Sequence, residues 1–308
     1  MEKLAFRAMG CQMLAVLDGP VFRAAERLKL VPGWFEEWED SLSRFRPDSE
    51  LNRLNAQPET AVRLSRTLWE VLQAAIEAFR ESRGLVTPTV LDALTMAGYD
   101  RSFDLITGPG MNVGTAAVPA PQLDKVLELD EVMRSARLAA GVHLDLGGVA
   151  KGWATHQAVR RLDSYAPALV DASGDIAVSG PRRDGSPWIV GIANPFDPQS
   201  DLGILSITGG GVATSGRDYH RWRQGNTWQH HLIDPRTGMP AETDVLSVTV
   251  TAPTLMEAET AAKTALILGS QVGLAWLNHQ PGLEGLIVLE NGQRLQSQNF
   301  QNIFLETL

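Results

Sequence analysis

The chain has one cysteine, Cys11, in 308 residues. No intrachain disulfide can form, and a cysteine-based zinc site is excluded. Long apolar runs are missing too. None reaches the roughly 18 residues that a membrane span requires, so membrane insertion is not expected. Basic blocks are also missing, and the formal net charge is −9. The electrostatic footprint of a nucleic-acid binder is therefore absent. An anionic ligand would need local attraction from a metal, a few basic residues or backbone N–H groups. The opening MEKLAFRAMG has no basic stretch leading into an apolar one. With Met1 as the start, that pattern implies a cytoplasmic protein. No repeat, low-complexity tract or Pro/Gly/Ser linker divides the sequence, so residues 1–308 read as a single domain.

What is present is a 44% hydrophobic, 20% charged chain, a composition that suits a globular protein. Phe6 to Leu17 reads as a strand. Residues 21–43 read as helix with a break at Pro32–Gly33, and 64–84 as an amphipathic helix ended by Gly84. From Val142 onward short strands alternate with Gly- and Asp-rich turns, interrupted by helical patterns near 150–163 and 255–279. Asn291-Gly292 signals a hairpin. Many strands follow one another directly, which argues α+β with mixed or antiparallel sheets flanked by helices.

Five stretches carry candidate chemistry. In HLDLGGVAKGWATH (143–156), Gly147 and Gly148 precede a helix start. The stretch reads either as a tight turn or as a place where N–H groups and Lys151 meet an anion. In VDASGDIAVSG (170–180), Gly174 and Asp175 read as a plain turn. GGGVATSGRDYHRW (209–222) places Thr214 and Ser215 beside glycine, either at a simple strand end or against a phosphate or ring. HHLIDPRTGMP (230–240) puts two histidines before a Pro/Gly turn. Alternation along a strand would aim His230 and His231 at opposite faces, and one of them is a candidate general base. In EAETAAKTALILG (257–269), Glu259 and Lys263 are spaced i,i+4. On local grounds they read as a solvated ion pair.

These stretches, in this order, resemble the ApbE family, the FAD:protein FMN transferases. The landmarks are RAMG (7–10), LSRFRPDSELNRLN (42–55), DLGGVAKGWA (145–154), VATSG (212–216), HLIDPRTGMP (231–240) and SVTVTAPTLMEAETAAKTALILG (247–269). The resemblance implies a compact, two-lobed, T-fold-like α+β architecture with a central flavin cleft. It implies transfer of the FMN phosphoryl group of FAD to a Thr or Ser hydroxyl of an acceptor protein, with release of AMP. Carried over position by position, His231 is the expected base. Met9, Phe45, Leu85, Val86, Thr87, Gly147, Trp153, Thr214, Ser215, Asp234 and Thr237 are the expected FAD contacts. Thr87 stands where the family often has Asp.

The expected Mg²⁺ site departs most. Similar proteins hold the ion with an Asp, a Thr four residues later and a backbone carbonyl in the glycine segment. The matching positions are Glu259, Lys263 and Ala150. Glu259 and the Ala150 carbonyl remain possible ligands, whereas a charged lysine has no lone pair to give. Lys263 is therefore expected to take over part of the cation's role. The alternative is a flavin-binding protein without transferase activity.

Overall fold

The computed structural model describes residues 1–106, 118–225 and 227–306, without the side chains of Val21 and Pro198. The described residues fall into two units, neither continuous in sequence. The first comprises Met1–Phe35, Lys151–Asp218 and Thr243–Leu308, the second Glu36–Ala150 and Tyr219–Glu242.

The first unit is built on an eight-stranded sheet. Its spatial order is Glu2–Ala8, Cys11–Leu17, Ala168–Ala172, Ile176–Val178, Gly210–Gly216, Val245–Ala252, Glu284–Leu289 and Arg294–Gln296. Every neighbouring pair is antiparallel. The expected strand from Phe6 to Leu17 is in fact a hairpin, with Ala8 paired to Cys11. Met9 and Gly10 make its two-residue turn at φ 49 and 72. Such a turn usually advertises itself as Asn-Gly, and methionine carries no such signal.

A smaller sheet of Phe304–Glu306, Asp197–Ile207 and Trp188–Asn194 supplies Val190, Ile192, Leu205 and Phe304 to one core with Val212, Leu286 and Val288 of the large sheet. Neighbouring residues on a strand face opposite ways. Gly211, next to Val212, accordingly faces the helix Leu255–Leu268, and a Cβ there would overlap the Leu255 backbone. That helix opens with a capping box between Thr254 and Glu257. It is buried nearly all round, including Glu259, Thr260 and Thr264. Its alanines allow the close approach, and Gly269 at φ 81 separates it from Ser270–Asn278.

In the second unit, the helices Glu50–Asn55 and Arg66–Glu81 are each capped by a serine, Ser49 and Ser65. The buried Glu50 carboxylate accepts both the N–H and the hydroxyl of Ser65, at 2.6 and 2.5 Å. One face of Arg66–Glu81 buries Leu68, Val71, Leu72 and Ala75. A three-stranded sheet, Val62–Arg63, Ser135–Leu138 and Leu127–Asp130, completes this part. The hairpin Arg221–Gln224/Thr227–His230 is held by Trp222 and Gln224, which donate to the carbonyls of Ala97 and Met96 at 2.7 and 2.9 Å. The break expected at Pro32–Gly33 falls earlier, at Lys29–Leu30. Pro32 and Gly33 lie in the first turn of Val31–Leu42, where a missing N–H costs nothing.

Candidate active site

The antiparallel register gathers polar groups at one end of the large sheet. Met13 pairs with Ala172, Val212 with Ile176 and Thr214 with Thr249. The Met9–Gly10 turn, the Ser173–Gly174 turn, Asp175, Thr214 and Ser215 therefore share that end. Ser173, at φ 54, donates its hydroxyl to the Gln12 carbonyl at 2.9 Å and ties the two turns together. Thr214 and Ser215 point to opposite faces. Thr214 is exposed and its hydroxyl bonds that of Thr249 at 2.8 Å, whereas Ser215 is buried on the helix side.

Beside this end lies a four-charge cluster. The Lys263 ammonium donates to Glu259 Oε1 at 2.9 Å, and the two side chains are only 15% and 3% exposed. The solvated-pair reading is thereby overturned. The helix presents this face to protein, because neighbouring small residues let its backbone approach the sheet. The second pair is Lys151 with Asp175. The pairs adjoin: a Cβ on Gly152 would overlap Glu259 Oε2, so only glycine after Lys151 leaves room for that carboxylate. Burial raises the Glu259 carboxyl above its ordinary value; Lys263 and Lys151 oppose this and Asp175 adds to it. Burial alone would depress the Lys151 ammonium, but Asp175 and Glu259 outweigh it and hold the group above the usual lysine range. Asp171 is raised by burial as well, while accepting the Gly174 N–H at 2.7 Å. Trp153 is buried two residues after Lys151 on the same helix, Ala150–Asp163.

The second unit carries the aromatic and histidine positions. Arg44 bonds Asp145 at 2.7 Å, with both side chains nearly buried. Its guanidinium lies 4.2 Å from the Phe45 ring centre and 4.7 Å from that of Tyr99. Phe45 stays exposed. Asp145 also accepts the Gly147 N–H at 2.8 Å, and a Cβ on Gly147 would come within 2.9 Å of that carboxylate. Gly147 is thus needed for the turn that precedes the helix. Burial raises the Asp145 carboxyl, opposed by Arg44. Val86 and Thr87 line a small pocket with Asp145 and Gly148, next to the half-buried Leu85. Thr87 caps the turn Pro88–Val90, and its hydroxyl bonds that of Thr89 at 2.8 Å.

The two adjacent histidines differ in burial, and only His230 belongs to the strand Thr227–His230. His230 is buried, with Nε2 donating to the Ala241 carbonyl at 3.2 Å and Nδ1 accepting the Leu232 N–H at 3.3 Å. Both ring nitrogens are committed to the fold. His231 is half-buried, with Nδ1 3.5 Å from the His220 carbonyl and the two rings edge to face at 5.1 Å. Phe103 packs on the His220 ring at 4.5 Å. The turn after His231 is rigid. Asp234 accepts the Arg236 backbone and guanidinium at 2.7–3.1 Å, and the N–H groups of Thr237 and Gly238 return to its carbonyl. The Thr237 hydroxyl braces the same carbonyl at 3.2 Å.

The Mg²⁺ set anticipated from the resemblance does not fit these groups. Glu259 Oε1 already receives an ammonium, and a charged ammonium offers no lone pair. Among the described residues no group of three His, Cys, Asp or Glu side chains could hold a metal ion. Sequence reasoning did not single out Arg44, Asp145 and Tyr99. It read Asp175 as a plain turn residue, because nothing in the sequence pairs it with Lys151 across 24 positions.

The described residues form an antiparallel α+β fold in which one unit holds a lysine–carboxylate cluster and the other a half-buried histidine before a hydrogen-bonded turn. The ApbE family model matches residues 9–287, and the chain belongs to that family. It is similar to a Treponema pallidum protein named FAD:protein FMN transferase, at 30% identity over 90% of this chain and 81% of that one. A Vibrio cholerae protein of the same name is 29% identical, with 78% and 72% covered. Among solved structures, a Thermotoga maritima ApbE protein superposes with a TM-score of 0.88 over 99% of both chains at 24% identity. The apo flavinyl transferase ApbE of Pseudomonas stutzeri gives 0.82 over 100% and 98%, also at 24%.

Proposed function

We infer that this chain is an FAD:protein FMN transferase. Two relatives that span most of its length carry that name. The observation that carries the reading is the half-buried His231 on the braced Asp234–Gly238 turn, beside a His230 whose ring is wholly committed to structure. A half-buried imidazole with one nitrogen near a carbonyl is suited to take a proton.

In the reaction, the acceptor Thr or Ser hydroxyl attacks the FMN phosphorus of FAD. An O–P bond forms, the pyrophosphate P–O bond breaks, and AMP leaves with the bridging oxygen. The hydroxyl proton passes to His231. Phosphoryl transfer depends chiefly on positioning and on offsetting charge. Phe45, with Arg44 stacked behind it, offers a ring face to the flavin nucleotide. Thr214 and its partner Thr249 offer hydroxyls at the sheet end. Met9, Leu85, Val86, Thr87, Gly147 and Trp153 shape the surroundings of the ligand, and Asp234 and Thr237 hold the turn that carries His231. The partners are FAD and an acceptor protein. Among the described residues no helix is long and apolar enough to cross a membrane.

The comparisons do not support the alternative of a flavin-binding protein without transfer: the similar proteins above carry the name of the transferase. The test is incubation with FAD and a Thr-containing acceptor, read as an in-gel fluorescent band and as the mass of an FMN adduct. The absence of both in every buffer, with or without Mg²⁺, would remove this reading.

A further inference from the structure

We propose that the ammonium groups of Lys263 and Lys151 take the place of a divalent cation at the pyrophosphate of FAD, so that transfer proceeds without metal. This rests on the transferase reading.

The geometry comes from one unit. Lys263 reaches Glu259 from the next turn of the same helix, and Lys151 reaches Asp175 from the start of another. Gly152 brings that helix start directly against Glu259. Glu259 therefore sits between the two cations, each of which has its own carboxylate partner. In the structure each ammonium donates once to a carboxylate, and each has three donors. In this proposal the remaining donors go to phosphate oxygens.

The carboxylates orient the ammoniums in advance, so no rearrangement is needed as charge moves onto the leaving AMP oxygens. The same pairing leaves no site for Mg²⁺. A cation bound by Glu259 would meet Lys263 as a like charge within about 4 Å.

Three measurements on the whole protein test this. First, titrate Mn²⁺ by electron paramagnetic resonance in the presence of FAD. Wild type is expected to bind no stoichiometric Mn²⁺, and one tightly held ion per chain would overturn the proposal. Second, follow FAD binding by quenching of flavin fluorescence. Chelator should change the wild-type affinity less than twofold, and Lys263→Ala should weaken it at least tenfold. An affinity lost in chelator and restored by Mg²⁺ would refute the proposal.

Third, follow FMN transfer. Wild type should keep its rate in chelator, and Lys263→Ala should lose at least a hundredfold with no rescue by Mg²⁺. Lys263→Arg, which keeps the charge, should retain far more activity than Lys263→Ala. Equal losses in both would count against the ammonium role, as would a rate abolished by chelator. If no transfer occurs under any condition, the transferase reading fails. The Mn²⁺ and FAD titrations still decide the present proposal by themselves.

Discussion

Replacing Lys263 by methionine keeps the length of the stem and removes its charge. Glu259, 2% exposed, then loses the cation bonded to it at 2.9 Å. Breaking a buried pair by deleting one partner typically costs about 3–5 kcal/mol. Here proton uptake sets a ceiling. Glu259 ordinarily titrates near 4.5, so neutralising it at pH 7 costs at most about 3.4 kcal/mol at about 1.36 kcal/mol per pH unit. At pH 5 the same ceiling falls to about 0.7 kcal/mol. The carboxyl is already raised in the wild type and Lys151 remains nearby; both take from this ceiling, so we expect a loss of about 1–2 kcal/mol at pH 7 and below about 1 at pH 5.

At about 2.1 cal/mol/K per residue, the neutral-pH loss lowers the melting temperature by about 2–3 °C. Calorimetry or urea unfolding at the two pH values measures it. The double variant Glu259→Leu/Lys263→Met removes both charges and should return to within about 1 kcal/mol of wild type. A penalty under about 0.5 kcal/mol at pH 7, or one equal at pH 5 and 7, would refute the view that Lys263 compensates a buried carboxylate.

Three further predictions follow from other groups. His231→Ala should abolish FMN transfer while leaving FAD affinity within about threefold, because general-base contributions of about 10²–10⁴ lie in the chemical step; surviving transfer in the gel assay would show that another group takes the proton. Gly152→Ala should displace the Glu259 carboxylate and cost about 1–3 kcal/mol, in the range of overpacked sites, and unfolding midpoints equal to wild type would contradict the close contact. Asp171→Asn should stabilise the protein at pH 8. Burial raises the folded-state pKa of Asp171 above its ordinary 3.8. Ionising it therefore weakens the fold as pH rises from that value, and the advantage of the asparagine should fade as pH falls toward 4. A melting-temperature difference independent of pH would rule that out.

Local structure was largely legible wherever one residue type dictates backbone geometry. Gly84 and Gly292 end their elements with φ 87 and 84, as their positions suggest. The helix read at 64–84 is found at Arg66–Glu81. The Met9–Gly10 turn was missed because methionine rarely takes φ 49, and only the pairing of Ala8 with Cys11 reveals it. Strand alternation did not extend to the histidine pair, because the strand ends at His230. Which of them is committed to the fold depended on Ala241 and Leu232.

The sequence alone determined the ordered motifs, the α+β character and the anomaly at Glu259 and Lys263, because those depend on residue identity and spacing along the chain. Tertiary structure decided what that anomaly means. Small residues let the helix Leu255–Leu268 lie close against the sheet, and this excludes water from a pair that would otherwise be a weak surface contact. The antiparallel register, together with Gly152, then sets Lys151 and Asp175 beside it. Burial turns two ordinary ion pairs into one fixed cluster of charge, and burial is a property of the folded neighbours rather than of any local stretch.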